Sequence, residues 1–524
     1  MRARLITADS VRTARGVAGD TILVRDGAIA DVGPRERFAG TDLHEDRYPG
    51  SVVVPGLRDA HFHPVTYAAV MSGVGLRGAA DFSDVAELLG EAARSLAPGV
   101  PLVAMRLDDA ALAEGRLPDR RDLDRWFPDR PVLLHRYCGH IAVANGAALD
   151  LAGIAADTAD PAGGSLDRDG SGRPTGVLRE TAVELVSGPL AAAGPAPVDP
   201  EGLARAMQAL PGVGITSIGA IAGCGDGAWA DLGDQVGLLA AAAAEIPIRL
   251  NVLAIAATPG ELERAALVVE RSGCRFLGLK AFADGSLGGH TAAMHGPFAD
   301  RPGETGMLRL DPARNWEMAK AALGLGGMVA VHAIGDRANA RVLGLFEDLV
   351  DEGTDPARLR VEHASVLGEN EVHRFVRTGV TASVQPAFLP SETGWLEDRL
   401  GPERMRHAYP FRTLHEAGVP LAGGSDCPVE PPHPLWGMAA ARDRAGIVPE
   451  EGLDPADALA LFTDWAAAAL EEPAPLAVGS PADFVVLDVD PVEASPAELR
   501  RARVLATWIG GAPVAMPDRP VWTG

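Results

Sequence analysis

Cysteine is rare in this sequence: Cys138, Cys224, Cys274 and Cys427 are scattered over 524 residues, with no CxxC pair. That spacing excludes a disulfide framework and a zinc ribbon and suits a reducing cytoplasm. Aromatic residues are also few, at 5%. No apolar run reaches the ~18 residues of a membrane span, and the opening MRARLITADSVRTARGVAGD lacks the apolar segment of a signal peptide. Positive charge is in short supply, with 47 Lys+Arg against 71 Asp+Glu and a formal net charge of −24. Such a surface repels phosphate backbones and anionic lipid, which argues against nucleic acid and membranes as partners. The same charge also serves plain solubility and names no substrate. The expected partner is a small molecule and the expected location the cytoplasm; a homodimer stays open beside a monomer.

What is present is ample material for a core. Hydrophobic residues make up 47% and charged residues 23%, and 524 residues exceed what one hydrophobic core organises. Both ends read as short strands. Thr21–Val24 and Ala28–Ala30 flank Asp26-Gly27, a two-residue hairpin signal. Asp483–Asp488 reads as a strand, and Thr507–Ile509 meets Ala512–Val514 across Gly510-Gly511. The middle alternates short apolar strands with Ala- and Leu-rich helical stretches, the βαβ pattern of a parallel sheet. Eight candidates stand out: Ser51–Val54, Gly214–Ile218, Ile248–Ala254, Phe276–Phe282, Met328–His332, Arg358–His363, Val380–Gln385 and Pro420–Ser425. Eight is the number that closes a TIM barrel.

The expected fold is therefore α/β: a TIM (β/α)8 barrel over 56–465, with a small composite β-sandwich from 1–55 and 466–524. Roughly 70–205 is too long for one crossover and reads as an insertion after the first barrel strand, a lid with a helix over Asp81–Ala97 and a Gly-rich turn from Gly163.

The sharpest chemical feature is Pro55-Gly56-Leu57-Arg58-Asp59-Ala60-His61-Phe62-His63. Residues two apart on an extended chain share a side, so His61 and His63 can reach one ion, and imidazole suits zinc and its neighbours. An HxH pair alone is weak. Reactive groups of TIM barrels, however, sit at the C-terminal ends of strands, and Lys280 (FLGLKAFADG), His332 (MVAVHAIGD), His363 (LRVEHAS) and Asp426 (LAGGSDCP) occupy that place as well. Taken singly, His332 and His363 read as core histidines, Lys280 as a snorkelling lysine and Asp426 as a turn or cap residue.

The blocks PGLRDAHFH, GLKAFADGSLGGHTAAM, VHAIGDRANA, RVEHAS and GGSDCPV, in that order, resemble the YtcJ-like branch of the amidohydrolase superfamily. So do GHIAVANGAAL and GGSLDRDGSGRPTGVLRE in the insertion, and PLAVGSPADFVVLD and TWIGGAPV near the end. The resemblance implies two divalent ions, with zinc the first expectation. His61, His63 and Asp426 would hold one, His332 and His363 the other, and Lys280, N-carboxylated by CO2, would bridge both. It further implies hydrolysis of a C–N bond (amide, N-formyl or related) through a metal-bridging hydroxide, with Asp426 carrying the proton. A lysine set among Leu279, Ala281 and Phe282 agrees, because desolvation favours the neutral amine that reacts with CO2. Mn, Fe or Co also suit such donors.

Secondary candidates carry two readings each. His140 and Asn145 in GHIAVANG contact substrate or only bond their own loop. Asp284 in ADGS supports a ligand histidine or forms a turn. Asp336 reads as a helix N-cap. Three positions depart from the branch's pattern: His290 stands where Arg is usual, Cys138 where an acid is usual, and Cys427 where Trp or Ala is usual. His290 is kept as a substrate contact, Cys427 as either a thiol ligand or a buried filler, and the branch's formamide substrate is not carried over. Two rivals remain: a single-metal deaminase of the same superfamily, and a non-catalytic binding relative, against which the presence of all six ligand types speaks.

Overall fold

The computed structural model describes residues 3–137, 140–161, 164–194, 198–225 and 233–516, so Cys138 and Gly163 lie outside the described residues. Among them the strands gather into three sheets. Apolar alternation at the two ends of the chain builds the first, of seven strands. Its order is Ala512–Pro513, Val504–Ile509, Phe484–Leu487, His44–Pro55, Arg4–Thr13, Gly16–Arg25 and Ala28–Gly33. The Asp26-Gly27 hairpin closes as expected: both residues have positive φ (50° and 82°), the backbone a tight two-residue turn demands and glycine supplies without strain. Phe484 stacks on Trp508 at 5.4 Å in this sheet's core.

The second sheet is the barrel. Its eight parallel strands are β1 (Leu57–Phe62), β2 (Ile215–Gly223), β3 (Arg249–Ile255), β4 (Arg275–Phe282), β5 (Met328–Ala333), β6 (Leu359–His363), β7 (Thr381–Val384) and β8 (Leu421–Gly423). They lie side by side in chain order, and a parallel bridge between Phe62 and Cys427 brings the end of β1 to the segment after β8. Seven of the eight expected strands fall on these elements. The first does not. Ser51–Val54 belongs to the terminal sheet, where Val52 and Val54 pair antiparallel with Leu487 and Val485. The chain changes sheets at Pro55-Gly56, where it presses so closely on β2 that a Cβ on Gly56 would lie 2.3 Å from Thr216 Oγ1. The true β1 is polar, and each of its charges is satisfied inside. Arg58 pairs with Glu472 at 2.8 Å, and Asp59 accepts from Ser425 and the His61 amide.

The third sheet, of six strands, is drawn from the stretch between β1 and β2: Gly164–Arg168, Pro174–Glu180, Ile141–Ala144, Val132–Arg136, Leu102–Leu107 and Val74–Gly75. The helix expected near Asp81 runs Phe82–Ser95, with Asp81 accepting the Ser83 and Asp84 amides as its cap.

His135 sits buried in this sheet, and burial alone pulls its pKa down to about 4. An unfolded histidine takes its proton near 6.5, so between about 6.5 and 4 the unfolded chain binds more protons than the folded one. Stability contributed by the neutral ring is therefore lost as pH falls through that window. His135→Leu is expected to flatten this part of the curve of thermal midpoint against pH; an unaltered slope would show that the buried ring is not what drives it.

Candidate metal centre

At the C-terminal mouth of the barrel the polar ends of β1, β4, β5 and β6 and the turn after β8 converge. His61 Nε2 and His63 Nε2 each lie 3.1 Å from Asp426 Oδ1, and one ligand atom from each of these three residues falls within 4.8 Å of the others. Lys280 Nζ reaches across from β4 to 3.4 Å from His61 Nε2. The ring of His363 is 4.9 Å from that of His61 and 4.4 Å from that of His332. All six side chains are buried. The strand-end pattern thus brings the six expected ligands to one mouth.

Backbone strain helps to assemble them. Arg360 and Glu362 share one side of β6, and strict alternation would turn His363 to the other. His363 instead has φ 75° and Asp426 φ 56°, left-handed conformations that cost free energy and persist where the surroundings enforce them.

His61, His332 and His363 each spend one ring nitrogen on a supporting acceptor. His61 Nδ1 donates to Glu362 Oε2 at 2.6 Å, His363 Nδ1 to Gln385 Oε1 at 2.7 Å, and His332 Nε2 to the Gly285 carbonyl at 3.0 Å. Such partners fix tautomer and ring orientation in metal sites. Burial holds His63 down at about 4 and His363 well below its usual value, so both present neutral rings. Burial opposes the charge on Asp426, yet His61 and His63 hold its carboxyl well below the usual range. Burial pulls Lys280 down to about 8. Imidazoles around a carboxylate, with His63 and His363 held neutral by burial, are a donor set for a divalent transition metal, and these residues fit one.

Residues 49–515 match the model of the amidohydrolase family. The chain belongs to this family. It is 31% identical to YtcJ of Bacillus subtilis (strain 168), over 94% of this chain and 95% of that one. To N-substituted formamide deformylase of Arthrobacter pascens it is 28% identical, over 98% of each chain. The crystal structure of an uncharacterized metal-dependent hydrolase from Pyrococcus horikoshii is similar at TM-score 0.72 and 25% identity, covering 95% of this chain and 99% of that one. The amidohydrolase chain described here thus has the metal-dependent hydrolase fold.

Two adjoining chambers open on the cluster and share His140, His332, His363 and Asp426. One continues past His61, His63 and Lys280 to Arg106 and Arg136 of the inserted sheet. The other is walled by Leu287, Phe388, Glu392, Tyr409 and Glu430. His140 Nδ1 donates to Glu180 Oε2 at 2.9 Å, and Arg309 holds the same oxygen at 3.0 Å. Asp284 ties the loops after β4 and β5 together, accepting from the amides of Ala293, Ile334 and Gly335 and lying 3.4 Å from His332 Nε2.

Asn145 and His290 are not brought to the cluster. Asn145 caps a helix of the insertion and uses its whole amide there: Oδ1 accepts from Val132 and Ala148, and Nδ2 donates to the carbonyls of Phe127 and Arg130. His290 turns to Asp300, 3.1 Å away, which also binds Arg399. Cys427 is packed in the barrel core and its thiol is pushed well up by burial, the filler of its two readings. Asp336 is the first residue of its helix rather than the cap, which is Gly335; its carboxylate accepts the His295 amide.

Sequence reasoning passed over Glu362, Arg360, Gln385, Glu180, Arg106 and Arg136. Glu362 carried a usable signal, a carboxylate beside a strand-end histidine in RVEHAS. Gln385 directly follows β7, and nothing local marks it.

Proposed function

We propose that this protein hydrolyses a C–N bond, in an amide, N-formyl or related group, of a small molecule. The convergence of His61 and His63 on Asp426 carries this reading. The kinship with a formamide deformylase supports the reaction class. His61, His63 and Asp426 would hold one divalent ion, and His332 and His363 a second. Lys280 would join them as a carbamate, formed when its neutral amine adds to CO2 and loses a proton. A bound divalent cation supplies Lewis acidity for the scissile carbonyl and makes water acidic near neutral pH. Asp426 takes the proton of the attacking water and delivers it to the leaving nitrogen. His140, steadied by Glu180 and Arg309, contacts the substrate from the insertion, which in this reading acts as a lid.

A single-metal reading is favoured by one observation, that only His61, His63 and Asp426 form so tight a group among the described residues. Metal analysis separates the two. The binuclear site predicts two equivalents per chain, falling toward one in Lys280→Met; a full complement of one in the unaltered protein would remove the second ion and the carbamate with it. Turnover is sought with N-formyl, N-acyl and cyclic amides on metal-loaded protein, with His61→Ala as control. Activity that survives that substitution belongs to something else.

A further inference from the structure

We propose that Arg106 and Arg136 form a carboxylate subsite beside the metal centre, so that the substrate is an amide bearing a free carboxylate. This rests on the hydrolytic reading above and narrows it to a substrate class. The two arginines come from neighbouring parallel strands of the inserted sheet, Leu102–Leu107 and Val132–Arg136, and line the chamber that also contains His61, His63, Lys280 and Asp426. They are only 3% and 4% exposed.

Each is held in place by groups around it. Arg106 donates through Nε to the Pro428 carbonyl at 3.0 Å, two residues beyond Asp426, and keeps a left-handed backbone at φ 67°. A strained non-glycine residue of this kind is characteristic of functional sites. Arg136 donates through Nε to Asp109 at 2.6 Å and lies over the Tyr137 ring at 4.4 Å. The loop after β4 comes so near that a Cβ on Gly288 would sit 2.9 Å from an Arg136 terminal nitrogen.

Guanidinium is the side chain whose planar fork matches a carboxylate, and desolvation strengthens that match. Burial pulls the Arg106 guanidinium down to about 9, so its charged form gains from an arriving anion. Among the acids nearby, Asp109 holds Arg136 through its Nε, and Glu430 faces Arg77 at 3.4 Å. A carboxylate set against Arg106 and Arg136 would leave the rest of the molecule facing the cluster.

The test uses matched pairs on metal-loaded protein: N-acetyl-leucine against N-acetyl-leucinamide, and N-butylsuccinamate against its carboxamide. In at least one pair kcat/KM should favour the carboxylate by about 10- to 100-fold, the range of a charge-assisted hydrogen bond. Arg106→Met should collapse that ratio, chiefly through KM, with Arg106→Lys in between. A purely structural arginine would lower both members together and keep the ratio, which would overturn the subsite. Should Arg106→Met fail to fold, the ratio in the unaltered protein and in Arg136→Met decides.

Binding is read apart from turnover by thermal shift with hexanoate and hexanamide. Hexanoate should stabilise the unaltered protein more than hexanamide does, and Arg106→Met should lose the difference. If that pattern holds while no amide is cleaved, the hydrolytic reading falls and the subsite stands. If amides are cleaved with equal kcat/KM in both pairs, the subsite falls and hydrolysis stands.

Discussion

Asp426→Asn is expected to lower kcat by about 10²- to 10⁴-fold, the contribution of a positioned proton carrier, while the protein stays folded. Asparagine is the informative replacement. Asp426 has φ 56°, a conformation that Asn tolerates nearly as well as Asp, whereas Ala would add backbone strain to the chemical loss. Its backbone bond from the Asp426 amide to the His61 carbonyl, 2.8 Å, does not depend on the side chain. The amide side chain keeps the shape but cannot take up a proton from water or hand one to a leaving nitrogen. Rates should be compared at saturating metal, since the exchange also weakens one ligand. A kcat within tenfold of the unaltered protein at full metal occupancy would remove Asp426 from proton transfer and leave it a ligand only.

The barrel was legible because several of its strands are buried on both sides and therefore read as unbroken apolar runs, such as Met328–Val331 and Val252–Ile255. The one misplaced strand obeys the same physics. Val52–Val54 is the most strand-like run in its neighbourhood, yet it pairs in the terminal sheet, whereas Leu57–Phe62 carries Arg58, Asp59 and His61 into the barrel. Nothing local announces that Glu472, more than 400 residues away, neutralises Arg58. A strand whose charges are compensated by distant partners is invisible to pattern alone.

The clustered histidines, Lys280 and Asp426 were legible for a related reason: their places at strand ends translate one-dimensional spacing into convergence. Apart from Glu362, the supports around them were not, because each closes a contact between separate segments of the chain. Gln385 meets His363 from just after β7, and Glu180 meets His140 from the inserted sheet. His140 and Asn145 share a sequence block but face different tasks, one lining the chambers and the other capping a helix. The arginines of the inserted sheet lie in no motif, and only the fold sets them beside the cluster.

Glu362→Leu is expected to injure both stability and metal binding. Glu362 lies inside the barrel between Arg360 Nε at 2.6 Å and His61 Nδ1 at 2.6 Å, and none of the three side chains is more than 1% exposed. Arg360 reaches the carbonyls of Ala60 on β1 and Ala469, and since β6 and β1 are not neighbours this contact spans the barrel. Removing the carboxylate leaves a guanidinium in the interior with its counter-charge gone, which costs about 3–5 kcal/mol. It also frees the His61 ring to rotate or change tautomer, and loss of such a support typically weakens metal binding by about 10- to 100-fold. The two effects separate in the double variant Arg360→Met/Glu362→Leu. An apolar pair in place of a buried ion pair restores most of the stability, but nothing then holds His61 Nδ1, so metal affinity should stay low. Thermal unfolding of the metal-free proteins reads the first effect and competitive chelator titration the second. If the double variant recovered its metal affinity along with its stability, Glu362 would be a partner for Arg360 alone, and the orientation of His61 would have to come from Asp426 and Lys280.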